Sequence, residues 1–575
     1  MAIPDGGNAL LCGGTVADGT RRMFPADVRV RGGVIAEVGP RLAGEGEPVL
    51  DAGGAVVAPG FIDTHTHLDP AVFWDPACDP LPQHGVTTVV TGNCSLSLAP
   101  VAAGDGSELA SLFSYVEDLP ASVLSRSVPW GSWAGWREYQ AVLRRLGLGV
   151  NLACLVGHTP LRMCVMGADA WERAATPRER DEITSLLDDC LHAGAFGLST
   201  SLFDSDAAGR PVPSRLADDS ELSSLAAALG PAAGVLAFIP DVSSHASTVR
   251  DVERLAAACR EHGVTGAWNG LFFDERKPER SAGLLAQASR LQASGARVFP
   301  QVSPRRVDIR VNWDGGMAFY SLPPWNEVLQ VPGSAKERLL SDPRWRTRAR
   351  LAWDAKPRTL LRHRELDRIR LTSVTRPANQ AWVGRTLADL ASARGGHPSD
   401  VLADWVLDND GCPGITGIGV ENADPDGVAS LLAHPATLVS NSDAGAHVQM
   451  LCTAGDTTLL LARHARDRED MPVGRAVWEL TGRQAGAYGI PRRGVIAPGY
   501  VADLTVFDLA ALRWADGELV ADLPGGAGRL RRPAGGFRYT LVAGRVVQED
   551  GALTGALPGA VLSPAARACE RGAGL

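Results

Sequence analysis

Lysine is nearly missing from this chain. Only three occur, Lys277, Lys336 and Lys356, so almost all of the 56 basic residues are arginine. Acidic residues number 65, and the net charge of -9 argues against a nucleic-acid partner. Paired cysteine spacing is also absent. The ten cysteines are scattered with no CxxC, which excludes a disulfide framework and points to a reduced, cytoplasmic protein. No apolar run approaches the roughly 18 residues of a membrane span. The opening MAIPDGGNALLCGG has no basic stretch before its short apolar run, so no signal peptide is expected. With 45% hydrophobic and 21% charged residues the composition is globular, and 575 residues exceed one ordinary core.

What is present has two textures. Residues 1–57 read as short alternating strands broken at glycines, a small β-unit. From Val57 onward eight apolar runs of strand length recur: VVAPGFIDTHTH, GVTTVVTGNC, VNLACLVGH, AFGLSTSL, GVLAFIP, VTGAWNGLFF, RVFPQVS and TLVSNSD. Amphipathic helical stretches such as PRERDEITSLLDDCLHAG separate them, often closed by glycine. Eight such units predict an α/β fold, a (β/α)8 TIM barrel over 58–488 with a long insertion over about 303–434. Strand-like pieces resume over 489–558 and are expected to join 1–57 in one small β-sandwich. Residues 559–575 are expected to be a poorly ordered tail.

The barrel expectation brings candidate ligands together, because active sites of this fold lie at the C-terminal strand ends. His65 and His67 alternate along the end of the first strand and so share one face. Cys94 ends the second strand, His158 the third and Asp443 the eighth. Each alone reads as an ordinary buried or capping residue. Jointly, two imidazoles, a thiolate and a carboxylate form a plausible zinc set.

GFIDTHTHLD, HGVTTVVTGNCS, GHTPLRMCVMG, GAFGLSTS, SDAGAHVQML and RGVIAPGYVADLTVFD resemble the N-acyl-D-amino-acid deacylase (D-aminoacylase) branch of the amidohydrolases. The resemblance runs from about Val57 to Pro558 and is weakest in the insertion. It implies metal binding by His65, His67, Cys94 and Asp443, with Asp443 also shuttling the proton. It also implies two further metal histidines ending strands five and six. Here those ends read AFIPDVSSH and GAWNGLFF, offering Asp241, a later His245, and Asn269. A bridging carboxylated lysine, known from other amidohydrolases, is excluded because GLSTSL has none. One zinc ion, or an atypical site, is therefore expected rather than the usual pair.

The expected activity is metal-dependent hydrolysis of a small C–N substrate, an N-acyl amino acid or similar amide, with Asp443 as base and then acid. His158 or His447 would bond the developing oxyanion. Arg162 or Arg376 would hold a substrate carboxylate, and Asn269 would contact substrate. Rival readings are a cyclic amide substrate, or a barrel turned to non-hydrolytic chemistry or ligand binding. A homo-oligomer is compatible with the sequence.

Overall fold

The structure is a computed structural model describing residues 6–102, 106–355, 359–440 and 442–564. Its centre is a sheet of eight strands: β1 (Phe61–Asp63), β2 (Val86–Thr91), β3 (Asn151–Gly157), β4 (Gly197–Ser201), β5 (Val235–Ile239), β6 (Thr265–Trp268), β7 (Val298–Val302) and β8 (Leu438–Val439). Each strand pairs in parallel with the next, so spatial order follows chain order. Strands β2, β3 and β4 are buried at every residue, as parallel strands covered on both faces must be. Crossover helices include Pro177–His192, Asp219–Leu229, His245–Glu261 and Pro278–Ala293.

The sheet curls until its first and last strands meet just beyond their ends. Thr66 bridges Ala444 in parallel. The His67 N–H donates to the Ala444 carbonyl at 2.8 Å, and the Asp443 N–H to the His65 carbonyl at 3.1 Å. Two acids flanking the HTH segment tie it to its neighbours on either side. Asp63 accepts from Ser440 Oγ at 3.2 Å while Ser440 Oγ accepts from the Thr64 N–H at 2.7 Å. Asp69 accepts from the Gly92 N–H at 3.0 Å and from Thr91 Oγ1, tying β1 to the end of β2.

The first apolar run divides where one continuous strand was expected. Val56–Pro59 pairs with Leu504–Phe507 in a seven-stranded sheet built from both chain ends. Only Phe61–Asp63 enters the curled sheet. Gly60 is the joint: a Cβ there would lie 2.1 Å from Thr87 Oγ1. A second, four-stranded sheet from the N-terminal segment shares one apolar cluster with the first, including Leu11, Val28, Val57, Leu504 and Leu541.

The 303–434 insertion has a core of its own. A three-stranded sheet (Val307–Arg310, Ile369–Ser373, Gly414–Glu421) packs with helices around Trp313, Trp325, Trp345, Trp353 and Trp405. Part of the expected loose tail is also packed. The Gly559 N–H donates to the Leu148 carbonyl at 2.7 Å and the Leu562 N–H to the Leu152 carbonyl at 2.8 Å, beside β3. The rest of that tail, from residue 565, lies outside the described residues. Among the described residues no helix is long and apolar enough to cross a membrane.

Candidate metal centre and active site

Four of the expected ligands converge at the mouth of the curl. Cys94 Sγ lies 3.4 Å from His65 Nε2 and 3.5 Å from His67 Nε2. Donor atoms of His65, His67 and Cys94 all fall within 4.8 Å of one another. Asp443 Oδ1 sits 3.2 Å from His65 Nε2 and 3.8 Å from His67 Nε2.

The backbone is bent to achieve this. Gly92 has φ 83°, and a Cβ on it would strike the Leu155 carbonyl oxygen at 2.3 Å. The chain then turns through Cys94 at φ 55° and Ser95 at φ 68°, and Asp443 and His447 adopt φ 58° and 51°. Left-handed backbone at non-glycine residues costs about 1 kcal/mol or more each and persists where the surroundings dictate it. Gly445 lets the strand-eight loop settle on the segment that follows β1, since a Cβ there would lie 2.6 Å from the His67 carbonyl oxygen.

Each imidazole is oriented from behind. Gln301, on β7, gives its amide N–H groups to Thr64 Oγ1 at 3.3 Å and Tyr488 OH at 3.2 Å. Its Oε1 is then free to accept from His65 Nδ1 at 3.0 Å, which turns the His65 Nε2 lone pair into the cluster. Asn269 Nδ2, 3.1 Å away, donates to that same lone pair. His67 Nδ1 faces Glu117 Oε1 at 3.1 Å, with both side chains buried. A carboxylate behind a ligating imidazole fixes its tautomer and raises its basicity.

Burial drives the His65 pKa down to about 4, so the ring is neutral near pH 7 and its Nε2 carries a lone pair rather than a proton. At His67 burial pulls the same way, but Glu117 and then Asp443 overcome it and hold the pKa at about 9. Burial pushes the Cys94 thiol well up, and Glu117, Asp204 and Asp443 push it further. Burial also lifts the Asp204 carboxyl to about 6. For Asp443 the opposing pull of His65, His67 and His447 outweighs burial and keeps its carboxyl below the usual range. A buried thiol among three carboxylates and two imidazoles is a donor set short of positive charge. A divalent cation fits it: the ion would reverse the repulsion on the thiol and be met by nitrogen, sulfur and oxygen donors.

A cavity of about 320 Å³ opens from this cluster. His67, Cys94, Glu117, Asp204, Asn269, Asp443 and His447 line it near the donors. Apolar residues of the curled sheet and of the insertion, among them Ile239, Trp268, Val307 and Val420, line it further out. The insertion therefore shapes this cavity. Asp118 anchors it there by accepting from Asn312 Nδ2 at 2.7 Å.

Three expected site residues stand elsewhere. His158 begins the helix His158–Met166, where its Nδ1 bonds Thr200 Oγ1 at 3.0 Å and its Nε2 bonds Glu221 Oε1 at 2.8 Å. Both nitrogens are committed and the ring is off the cavity wall, so it has no free group for an oxyanion. Arg162, one turn further, is buried and paired with the same Glu221. Arg376 pairs with Asp410 at 2.7 Å on the exposed surface of the insertion. His447 does line the cavity, and its buried Nδ1 has no hydrogen-bond partner among the described residues. Asp241 and His245, the residues nearest the end of β5, are not in the cavity lining. Residues that sequence reasoning missed are Glu117 and Asp204. The one signal for Glu117 was an acidic pair, Glu117-Asp118, inside the otherwise apolar stretch YVEDLP.

A family model described as the amidohydrolase family matches residues 48–297 and 337–548. The chain belongs to the amidohydrolase family. As a member it is a metal-binding hydrolase of C–N bonds other than peptide bonds. It is 30% identical to an N-acyl-D-aspartate deacylase of Alcaligenes xylosoxydans xylosoxydans over 578 residues, covering 96% of this chain and 95% of that protein. A D-aminoacylase from the same organism is 29% identical over 576 residues, 96% of this chain and 97% of its own length. Among solved structures, an N-acyl-D-glutamate deacylase from Bordetella bronchiseptica, complexed with zinc and a phosphonate inhibitor, superposes with a TM-score of 0.66. It is 25% identical and covers 97% of this chain and 99% of that one.

Proposed function

We propose that this chain removes the acyl group from an N-acyl amino acid by hydrolysing its amide, using one zinc ion held by His65, His67, Cys94 and Asp443. The observation that carries the reading is the mutual approach of the His65, His67 and Cys94 donors within 4.8 Å, with Asp443 Oδ1 3.2 Å from His65. The deacylase names of the full-length relatives support the substrate class. One ion rather than two is supported by the ends of β5 and β6. Asn269 bonds the His65 lone pair where the resemblance implies a histidine, and Asp241 lies outside the cavity. We read the curled sheet as a (β/α)8 barrel over 58–488, and the two terminal sheets as one sandwich from 1–57 and 489–558.

When bound, such an ion supplies a Lewis acid that polarises a carbonyl and acidifies water. The residues do the rest. Asp443 is the most open of the four, with its side chain 18% exposed against 2% and 1% for His65 and His67. It is thus both a cluster member and within reach of substrate. Its carboxylate takes the proton of the attacking water and returns it to the departing amine nitrogen. His447, which lines the cavity, takes the oxyanion role that His158 cannot fill. Glu117 keeps His67 oriented. The apolar walls exclude bulk water from the reacting amide.

The test is a panel of N-acetyl amino acids in both chiral forms, incubated with zinc-reconstituted protein and assayed for released free amine. Release that disappears in Asp443→Asn supports the reading. No release from any member of the panel by fully zinc-loaded protein overturns the substrate class.

A further inference from the structure

The geometry points to Arg280 as the residue that seats the substrate's carboxylate, an inference that rests on the deacylase reading above. Such a substrate carries its anionic group a few bonds from the scissile amide. That group must avoid the inner end of the cavity, where Glu117, Asp204 and Asp443 already gather negative charge. The two arginines that motif position suggested are taken: Arg162 by Glu221, and Arg376 by Asp410 at the surface.

Among the described residues Arg280 is the only arginine or lysine that lines the cavity. It stands in the first turn of the helix Pro278–Ala293. Arg280, Ser281 and Leu284 from this helix all line the cavity, and Leu284 lies four residues from Arg280 and three from Ser281, the spacings at which helix side chains are neighbours. The helix start also carries positive dipole and no side-chain cap at Lys277, which reinforces a seat for an anion. Arg280 itself makes no ion pair and no side-chain hydrogen bond with any described residue. Its neighbours differ. Arg276 contacts Asp274 at 3.1 Å and also pairs with Glu365, and Arg362 contacts Asp274 at 3.3 Å and Glu421 at 2.9 Å. The cavity's own outer carboxylates, Asp274 and Glu421, are therefore already engaged by Arg362.

A half-buried guanidinium with a planar fork and no partner among the described residues matches a carboxylate bidentately. Apolar residues of the same cavity lining include Leu271, Phe272, Leu284, Met450 and Leu451. The ligand this recognises has one carboxylate beside an apolar side chain. An acidic side chain would find no second arginine or lysine among the described residues of the lining.

Binding of N-acetylleucine, in whichever chiral form binds, and of its C-terminal carboxamide to zinc-reconstituted protein tests this directly. Calorimetry gives both dissociation constants for wild type, Arg280→Met and Arg280→Lys, with thermal unfolding as a check on fold. Wild type is expected to favour the carboxylate by roughly tenfold or more, Arg280→Met to lose that preference, and Arg280→Lys to keep part of it. A preference unchanged in Arg280→Met, or absent in wild type, or no binding of either ligand, overturns the assignment. Amine release is read separately. A preference abolished by Arg280→Met without any hydrolysis leaves the seat standing and sinks the deacylase reading. Hydrolysis with an Arg280-independent preference does the reverse.

Discussion

Substitution of Cys94 separates a ligand from a buried thiol, because the two roles order the variants oppositely. Zinc held by four protein donors contributes on the order of 10–16 kcal/mol, so one donor is about 3 kcal/mol, or roughly a hundredfold in Kd. Cys94→Ala should weaken zinc binding by about that factor. Its effect on the metal-free protein should be small, about 1 kcal/mol, since only one sulfur leaves the core. Cys94→Gly distinguishes backbone from side chain. With φ at 55° the native residue is strained, and glycine relieves about 1 kcal/mol of it while losing the same ligand. Cys94→Asp tolerates the left-handed backbone and offers a carboxylate, so it should retain part of the affinity. Without metal, however, it adds a fourth acid to Glu117, Asp204 and Asp443 and should be the least stable. The expected stability order without zinc is Gly, then Ala, then Asp. The expected affinity order is wild type, Asp, then Ala and Gly together. Chelator competition gives the affinities and thermal unfolding with and without zinc gives the stabilities. Undiminished affinity in Cys94→Ala would refute the reasoning.

Glu117→Gln should weaken zinc binding 10- to 100-fold with the fold intact, because His67 loses the carboxylate 3.1 Å behind it; competition titration measures this, and an unchanged Kd would count against a supporting role. Asp443→Asn should lose turnover by orders of magnitude while still binding substrate; near wild-type kcat would remove Asp443 from proton transfer. His84, buried between Thr458 and the Arg532 carbonyl, has its pKa pushed down by burial to about 4. Because the folded pKa lies below the unfolded value near 6.5, the unfolded chain takes the proton first, and stability is lost as pH falls from about 6.5 through 4. The loss from this one group is about 3 kcal/mol, so His84→Gln should show a shallower acid-side decline in urea unfolding; identical slopes would contradict it.

Much of this was legible in the residues, and what was not has physical causes. Eight apolar runs located the eight strands, since a parallel strand buried on both faces writes itself as a continuous apolar stretch. The first run misled at Gly60, because periodicity does not report that one extended segment serves two sheets. HTH alternation placed two imidazoles together, and the GNC and SDAG turns delivered their side chains to the same point. His158 was misplaced because it is the first residue of a helix, not the last of a strand. Its ring rotates toward Thr200 and Glu221, and Arg162 follows one turn later on the same face. Glu117 and Asp204 lie in connections beyond β2 and β4, where no spacing rule announces which acid turns inward. Arg280 was hidden for the same reason. Its position on the cavity wall follows from the face its helix presents, which depends on packing.

The central claim is one zinc ion among two imidazoles, a thiolate and a carboxylate. X-ray absorption at the zinc edge, on protein reconstituted and washed free of excess metal, tests it most directly. One zinc per chain is expected, with a single sulfur at about 2.3 Å and nitrogen or oxygen neighbours at about 2.0–2.2 Å, the sulfur vanishing in Cys94→Ala. A zinc shell with no sulfur in the native protein, or no retained zinc, would contradict the account.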